Sequence, residues 1–174
     1  MRLPRFILTR LQRWADKVRA TRAPDFIIGG HERPYLLRWF VIPRNPVFNV
    51  YLHEIRRSDD DSALHDHPWL FNASVLVRGQ YMEHTIAEGG IHHRTHRTAG
   101  KVKLRMGPAP HRLELMPLLG YGVDSPDEQP CITVFLTGPR VRSWGFHCAE
   151  RGWVHWQEFT AADDPGAAGK GCDA

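Results

Sequence analysis

From Phe26 onward the chain is a succession of short apolar runs punctuated by glycine and proline. The runs fall at residues 35–42, 47–55, 71–77, 81–86, 102–106, 112–115, 132–136 and 153–159. Segments of this length, rich in β-branched and aromatic residues, bury little as isolated helices but pair readily as strands. Arg78-Gly79-Gln80 and Glu88-Gly89-Gly90 place glycines where hairpins must reverse. The pattern predicts an all-β domain over residues 26–159, an antiparallel sandwich or barrel.

The start of the chain reads differently. Ile7, Leu11, Trp14 and Val18 recur at helical spacing, with basic residues mostly on the other side. Residues 1–25 are therefore expected as an amphipathic helix packed on the domain or on a dimer partner, its arginines solvated. Residues 1–22 hold seven basic groups against one acid, Asp16, so this segment carries +6 of a net +4 and the rest of the chain −2. The body of the domain is thus not a basic surface for nucleic acid, and no nucleic-acid partner is expected. No stretch of about 20 apolar residues is present to span a membrane. Residues 160–174, mostly Ala, Gly and Asp, read as a disordered tail. Cys131, Cys148 and Cys172 make an odd set without paired spacing, so disulfides are not expected and Cys148 reads as core. The start of the chain shows no continuous apolar h-region of a secretory signal, so a reducing cytoplasm is the expected compartment.

The chemistry concentrates at His65-Asp66-His67 and at His111, which ends the run Gly107-Pro108-Ala109-Pro110-His111. Two histidines one residue apart share a strand face, and a third from a neighbouring strand can complete a three-nitrogen metal site. Asn72 follows His67 by an odd offset, so a turn or bulge around Pro68-Trp69 is needed to bring it to the same side. No Gly-rich phosphate loop and no Gly-x-Ser-x-Gly elbow is present, which excludes P-loop phosphoryl transfer and α/β-type serine hydrolysis.

His65-x-His67, then Asn72, then Gly79 resembles the first signature of the cupins, which usually has glutamate at the place of Asn72. Gly107 to His111 is similar to a shortened second signature. The resemblance covers about residues 47–140 and implies a cupin double-stranded β-helix, or jelly roll, with a metal at His65, His67 and His111. It extends, through Phe135 to Arg140, Trp144 to Cys148 and Gly152 to Trp156, to small uncharacterised cupin-like proteins of bacteria and phages. With an amide for the acid, the implied site is three neutral imidazoles that keep the +2 charge and leave positions open. That arrangement resembles the thiol dioxygenases among cupins.

Three functions follow from this reading. The first is an Fe(II)-dependent dioxygenase-type enzyme acting on a small carboxylate- or thiol-containing molecule, with zinc, nickel or manganese as other metals. The second is a non-redox isomerase or epimerase with a separate proton-transfer residue, His84 or Glu83. The third is a non-catalytic binding module. Candidate site residues are Asn72 to orient a ligand, Tyr81, Glu83, Tyr51, His53 and Trp69 as walls, and Arg57, Arg78, Arg94 or Arg97 to grip a carboxylate. On the strand from Asn72, Ser74, Leu76 and Arg78 are expected inward, and Ala73, Val75 and Val77 outward against a second sheet. His92, His93 and His96 are expected in solvent, and a homodimer is expected from the resemblance.

Overall fold

The computed structural model describes residues 1–59, 63–118, 128–162 and 169–172. Among them the chain forms helix α1 (Arg5–Thr21), then strands β1 (Phe26–Ile28), β2 (Leu36–Phe40), β3 (Asn49–Ile55), β4 (Leu64–His65), β5 (Phe71–Arg78) and β6 (Gln80–Ile86). Strands β7 (His92–Thr98), β8 (Val102–Met106), β9 (His111–Leu115), β10 (Cys131–Thr137), β11 (Gly145–Cys148) and β12 (Gly152–His155) follow, and a single helical turn, α2 (Trp156–Phe159), comes last. One sheet has the order β1-β2-β3-β10-β5-β8 and the other β12-β11-β4-β9-β6-β7. All their pairings are antiparallel.

With β7 set aside as the hairpin partner of β6, the strands from β3 to β11 alternate between the two sheets. That winding is the jelly roll, or double-stranded β-helix. The chain is all-β with one N-terminal helix, as the punctuated apolar runs predict. Its reversals use glycine where the backbone demands it: Gly79, between β5 and β6, has φ +82°, and a Cβ there would lie 2.9 Å from the Pro130 carbonyl oxygen.

Helix α1 ends at Thr21, just ahead of Pro24, which has no N–H to continue it. Its apolar stripe, Leu11, Trp14, Ala15 and Val18, packs on Trp39, Leu52, Val77 and Ile132 on the outer face of the first sheet. Each fully buried aliphatic side chain there contributes about 2 kcal/mol. Val77 therefore faces α1 and not the second sheet, a correction to the expected layering. The arginines are not all solvated either, because Arg19 Nε bonds Glu54 Oε2 at 2.6 Å.

A second correction concerns Arg78. The β5–β10 register pairs Leu76 with Thr133 but Arg78 with Ile132, leaving one extra residue on β5. That bulge reverses the alternation. Asn72 and Ser74 line the interior and Leu76 joins the core, whereas Arg78 turns out to bond Asp16 of α1 at 2.6 Å.

The inner core, where Leu36, Ile55, Leu76, Tyr81, Leu113, Leu115 and Cys131 meet, closes one part of the space between the sheets. A smaller cluster of Ala63, Cys148, Val154 and Phe159 closes another. Contrary to the expectation of free cysteines, Cys148 is joined to Cys172 by a disulfide. The amides of Gly169 and Gly171 donate to the Phe159 carbonyl, so this part of the expected tail is docked; residues 163–168 and 173–174 lie outside the described residues.

Candidate metal centre

Strand β4 is short because the chain leaves it to cross between the sheets. The His67 amide donates to the Gly107 carbonyl at 2.9 Å, and Pro68, which has no N–H, offers its carbonyl to Val141 and Arg142. The crossing at residues 66–70 is what returns Asn72 to the interior. Gly107 is required by this approach: a Cβ there would fall onto the Trp69 carbonyl oxygen.

His65 and His111 are direct register partners on β4 and β9, so their side chains leave the sheet on the same side. His67 is two residues on, and the three rings present ligand atoms within 4.8 Å of one another. His67 Nε2 and His111 Nε2 lie 2.9 Å apart. Ring nitrogens bound to a common ion at about 2.1 Å stand about 3 Å from each other, so the cluster has the dimensions of a three-histidine site.

The other ring nitrogens face carboxylates without bonding them. His65 Nδ1 lies 3.7 Å from Asp59 Oδ2, and His111 Nδ1 lies 3.8 Å from Glu83 Oε1. His111 Nδ1 is buried with no hydrogen-bond partner. Ligating histidines generally direct their second nitrogen toward such a carboxylate, which fixes the ring and its tautomer. Burial, reinforced by neighbouring cationic and imidazole groups, pushes His67 and His111 well below the ordinary histidine value. Burial lowers His65 as well, against the pull of Asp59. Three neutral imidazoles are the protonation state that metal ligation needs.

Between them, Asp66 points to the opposite face, as alternation requires. It is buried, accepts from the Gly145 amide at 2.9 Å and Trp153 Nε1 at 3.1 Å, and pairs with Arg142 at 2.9 Å. Asp66 ties the histidine strand to β11 and β12.

The cluster forms one wall of a cavity of about 420 Å³ between the sheets. Asn72 and Tyr81, both predicted from the sequence, line it, as do His53, Glu83 and Trp69. Asn72 is 2% exposed, and its Nδ2 has no partner. Burial and Glu83 raise the Tyr81 phenol, so it stays protonated.

His84 is not there. It projects from the outer face of the second sheet, where Nε2 bonds Glu114 Oε2 at 2.6 Å and Nδ1 meets His92 Nε2 at 2.9 Å. His92, His93 and His96 are exposed. Arg78 lies outside, and Arg94 bonds Glu114 on the outer face. Arg97 reaches inward only to bond Glu83 at 2.8 Å, and Tyr51 lines a neighbouring pocket.

Cationic groups that sequence reasoning missed do line the cavity: Arg38, Lys103 and Arg105. Arg105 bonds Glu83 directly, and Arg97 and Lys103 lie on the same carboxylate. Burial alone would raise Glu83, but Arg105, Arg97 and Lys103 outweigh it and hold its pKa below the usual range. Trp144, Phe146, Trp156 and Phe159 form an aromatic wall that was also missed, with Phe146 and Phe159 stacked at 3.6 Å.

No protein-family model matches the chain, and no curated protein matches it. Solved structures similar to it include an uncharacterised conserved protein with a double-stranded β-helix domain from Klebsiella pneumoniae, 18% identical, covering 69% of this chain and 90% of that one at a TM-score of 0.45. Oxalate decarboxylase of Lactobacillus farciminis in its formate complex is 17% identical, with 67% of this chain and 32% of that one covered at 0.45. Fe(II) HppE in complex with its substrate is 11% identical, with 67% and 56% covered at 0.47. The chain spans under two thirds of the length of the latter two. The strand order itself defines the architecture: this chain folds as the double-stranded β-helix that its resemblance to cupins implies, with the three histidines of that resemblance on one cavity wall.

Proposed function

We propose that His65, His67 and His111 hold a divalent metal, and that the domain is a dioxygenase-type enzyme acting on a small carboxylate- or thiol-containing molecule. Iron is the first metal to test, with zinc, nickel and manganese as alternatives. The observation that carries this reading is the convergence of three ring nitrogens within 4.8 Å on the wall of a cavity of about 420 Å³. A metal bound there supplies a +2 Lewis-acid centre with coordination positions open to substrate.

The chain's own residues do the rest. Arg38, Lys103 and Arg105 outnumber the two carboxylates of the cavity, Asp59 and Glu83, by one and so bias it toward an anion. Asn72 Nδ2, buried without a partner, is placed to donate to a ligand oxygen, and the protonated Tyr81 phenol offers a second donor. Glu83 bonds Arg105 and so positions it, and its carboxylate faces His111 Nδ1. The aromatic wall excludes water from the reacting atoms.

The isomerase reading loses support. It needs a proton-transfer base in the cavity, but His84 lies on the outer face and the guanidinium groups around Glu83 make its carboxylate a weak base. A cytoplasmic homodimer belongs to the same proposal, and thiol titration of protein from intact cells decides whether Cys148 and Cys172 are paired there.

Anaerobic loading with ferrous iron, followed by oxygen-uptake measurements with small carboxylates and thiols, tests the reading. Stoichiometric iron and substrate-dependent oxygen consumption are expected. Substrate turnover at the same rate without oxygen sinks the dioxygenase assignment, and absence of metal after loading sinks the metal site.

A further inference from the structure

Beside the histidine cavity lies a second pocket, of about 430 Å³, with three arginines and no acidic residue in its walls. Arg38 reaches it from β2, Arg44 from the loop between β2 and β3, and Arg140 from the segment after β10, with Asn49, Tyr51 and Trp69 completing the walls. The β2–β3 register explains its position. The inward pairs run Leu36 with Ile55 in the core, Arg38 with His53 at the histidine cavity, and then Phe40 with Tyr51, of which Tyr51 lines the second pocket. Arg38 and Trp69 line both spaces, so the two pockets share a wall.

Arg38 is partly buried in the shared wall, and Arg44 and Arg140 stand exposed at the mouth. Among the described residues no carboxylate pairs with Arg38, Arg44 or Arg140, whereas Arg19, Arg97, Arg105 and Arg142 each hold one. Arg38 is fixed: Nε donates to His53 Nε2 at 2.9 Å, and the guanidinium lies 4.9 Å over the Tyr51 ring. The loop carrying Arg44 is fixed as well. Asn49 Oδ1 accepts from the Asn45 amide at 3.0 Å, Asn49 Nδ2 donates to the Asn45 carbonyl at 2.7 Å, and Asn45 Oδ1 accepts from the amides of Val47 and Phe48. Burial lowers the Arg38 pKa and the charge of Arg44 adds to that, so the pocket as it stands opposes the charge it contains.

We propose that this pocket binds the phosphate of a small phosphate monoester whose reacting end lies against the histidine cluster, an inference that names a substrate class for the metal-site reading and rests on it. The count of guanidinium groups selects the ligand. One bidentate arginine satisfies a carboxylate, whereas a dianionic tetrahedral phosphate takes donors from several directions and a charge of more than one. The shared wall of Arg38 and Trp69 sets such a molecule across both spaces.

Calorimetric titration of the full-length protein with phenyl phosphate, inorganic phosphate and benzoate tests this in wild type, in an Arg44→Ala, Arg140→Ala double variant and in a His65→Ala, His67→Ala double variant. Arg44 and Arg140 are exposed, so their replacement leaves the fold and the metal content intact. Phenyl phosphate is expected to bind wild type at least about tenfold more tightly than benzoate, and the arginine variant to lose at least about tenfold. The histidine variant is expected to keep phosphate binding, so failure of the metal site and failure of the phosphate site are read separately. In Mn(II)-loaded protein the phosphorus resonance of bound phenyl phosphate is expected to broaden. Equal binding of benzoate, unchanged binding by the arginine variant, or an unbroadened resonance in the manganese protein overturns the proposal.

Discussion

The second sheet carries histidines on both faces, and the two groups could hardly differ more in how they are satisfied. Strands β6 and β9 contribute to each: Glu83 and His111 point inward, while their sequence neighbours His84 and Arg112 pair across the same two strands on the outside. Outside, His84 is bonded to Glu114 at 2.6 Å and to His92 at 2.9 Å, a set of polar groups that answer one another. Inside, His65 and His111 stop 3.7 and 3.8 Å short of their carboxylates, and His111 Nδ1 has no hydrogen bond at all. A one-residue step along a strand thus separates groups that stabilise the fold from groups held ready at a cost to it.

If that division is right, outward substitutions should cost stability and inward ones should cost ligand. The largest effect is expected at Asp66, the outward residue between the two inward histidines. Asp66→Ala removes a buried acceptor from Gly145, Trp153 and Arg142 and should destabilise the protein by about 3 kcal/mol in urea unfolding. Stability unchanged within experimental error would break the comparison.

The inward histidines should announce themselves through pH. His53, His65, His67 and His111 have lowered pKa values when folded, so below about pH 6.5 the unfolded chain takes up protons that the folded one refuses. Their contribution to apoprotein stability is present above that pH and is lost as pH falls toward the folded values. Each contributes up to about 1.4 kcal/mol per pH unit in that window. Urea unfolding across the histidine titration range should give a shallower slope for His65→Ala, His67→Ala than for wild type; equal slopes would mean the rings are solvated.

His84→Ala should cost about 1 kcal/mol through its bond to Glu114 and leave metal affinity untouched. Reduced metal affinity in that variant would bring His84 back into the site. Arg78→Ala breaks only a half-exposed pair with Asp16, so a change in stability within about 0.5 kcal/mol and none in metal content are expected.

The histidine triad was legible because parity gives His65 and His67 a common face, and the resemblance of Gly107 to His111 to a cupin signature supplies the third member. The fold class was legible in short apolar runs with glycine between them. What escaped was whatever breaks that pattern. In β8 the charged Lys103 and Arg105 face the cavity while Leu104 and Met106 are 68% and 54% exposed, the reverse of an amphipathic edge strand. Hydropathy therefore pointed the wrong way at the groups nearest the chemistry, as it does where function overrides packing. Strand β7, His92–Thr98, contains no apolar residue and so gave no strand signal. The bulge that turns Arg78 outward depends on the register of β5 against β10, a tertiary fact with no local signature. The Cys148–Cys172 disulfide likewise depends on the chain's end returning to Phe159, which cysteine spacing does not encode.

The central claim is that the inner face of the second sheet is a metal site. Elemental analysis of protein purified without chelators and loaded anaerobically with ferrous iron tests it most directly, with His111→Ala and His84→Ala beside wild type. One metal per chain in wild type and in His84→Ala, with loss in His111→Ala, is the predicted result. A wild type that binds no metal, or a His111→Ala protein that binds as much as wild type, would contradict it.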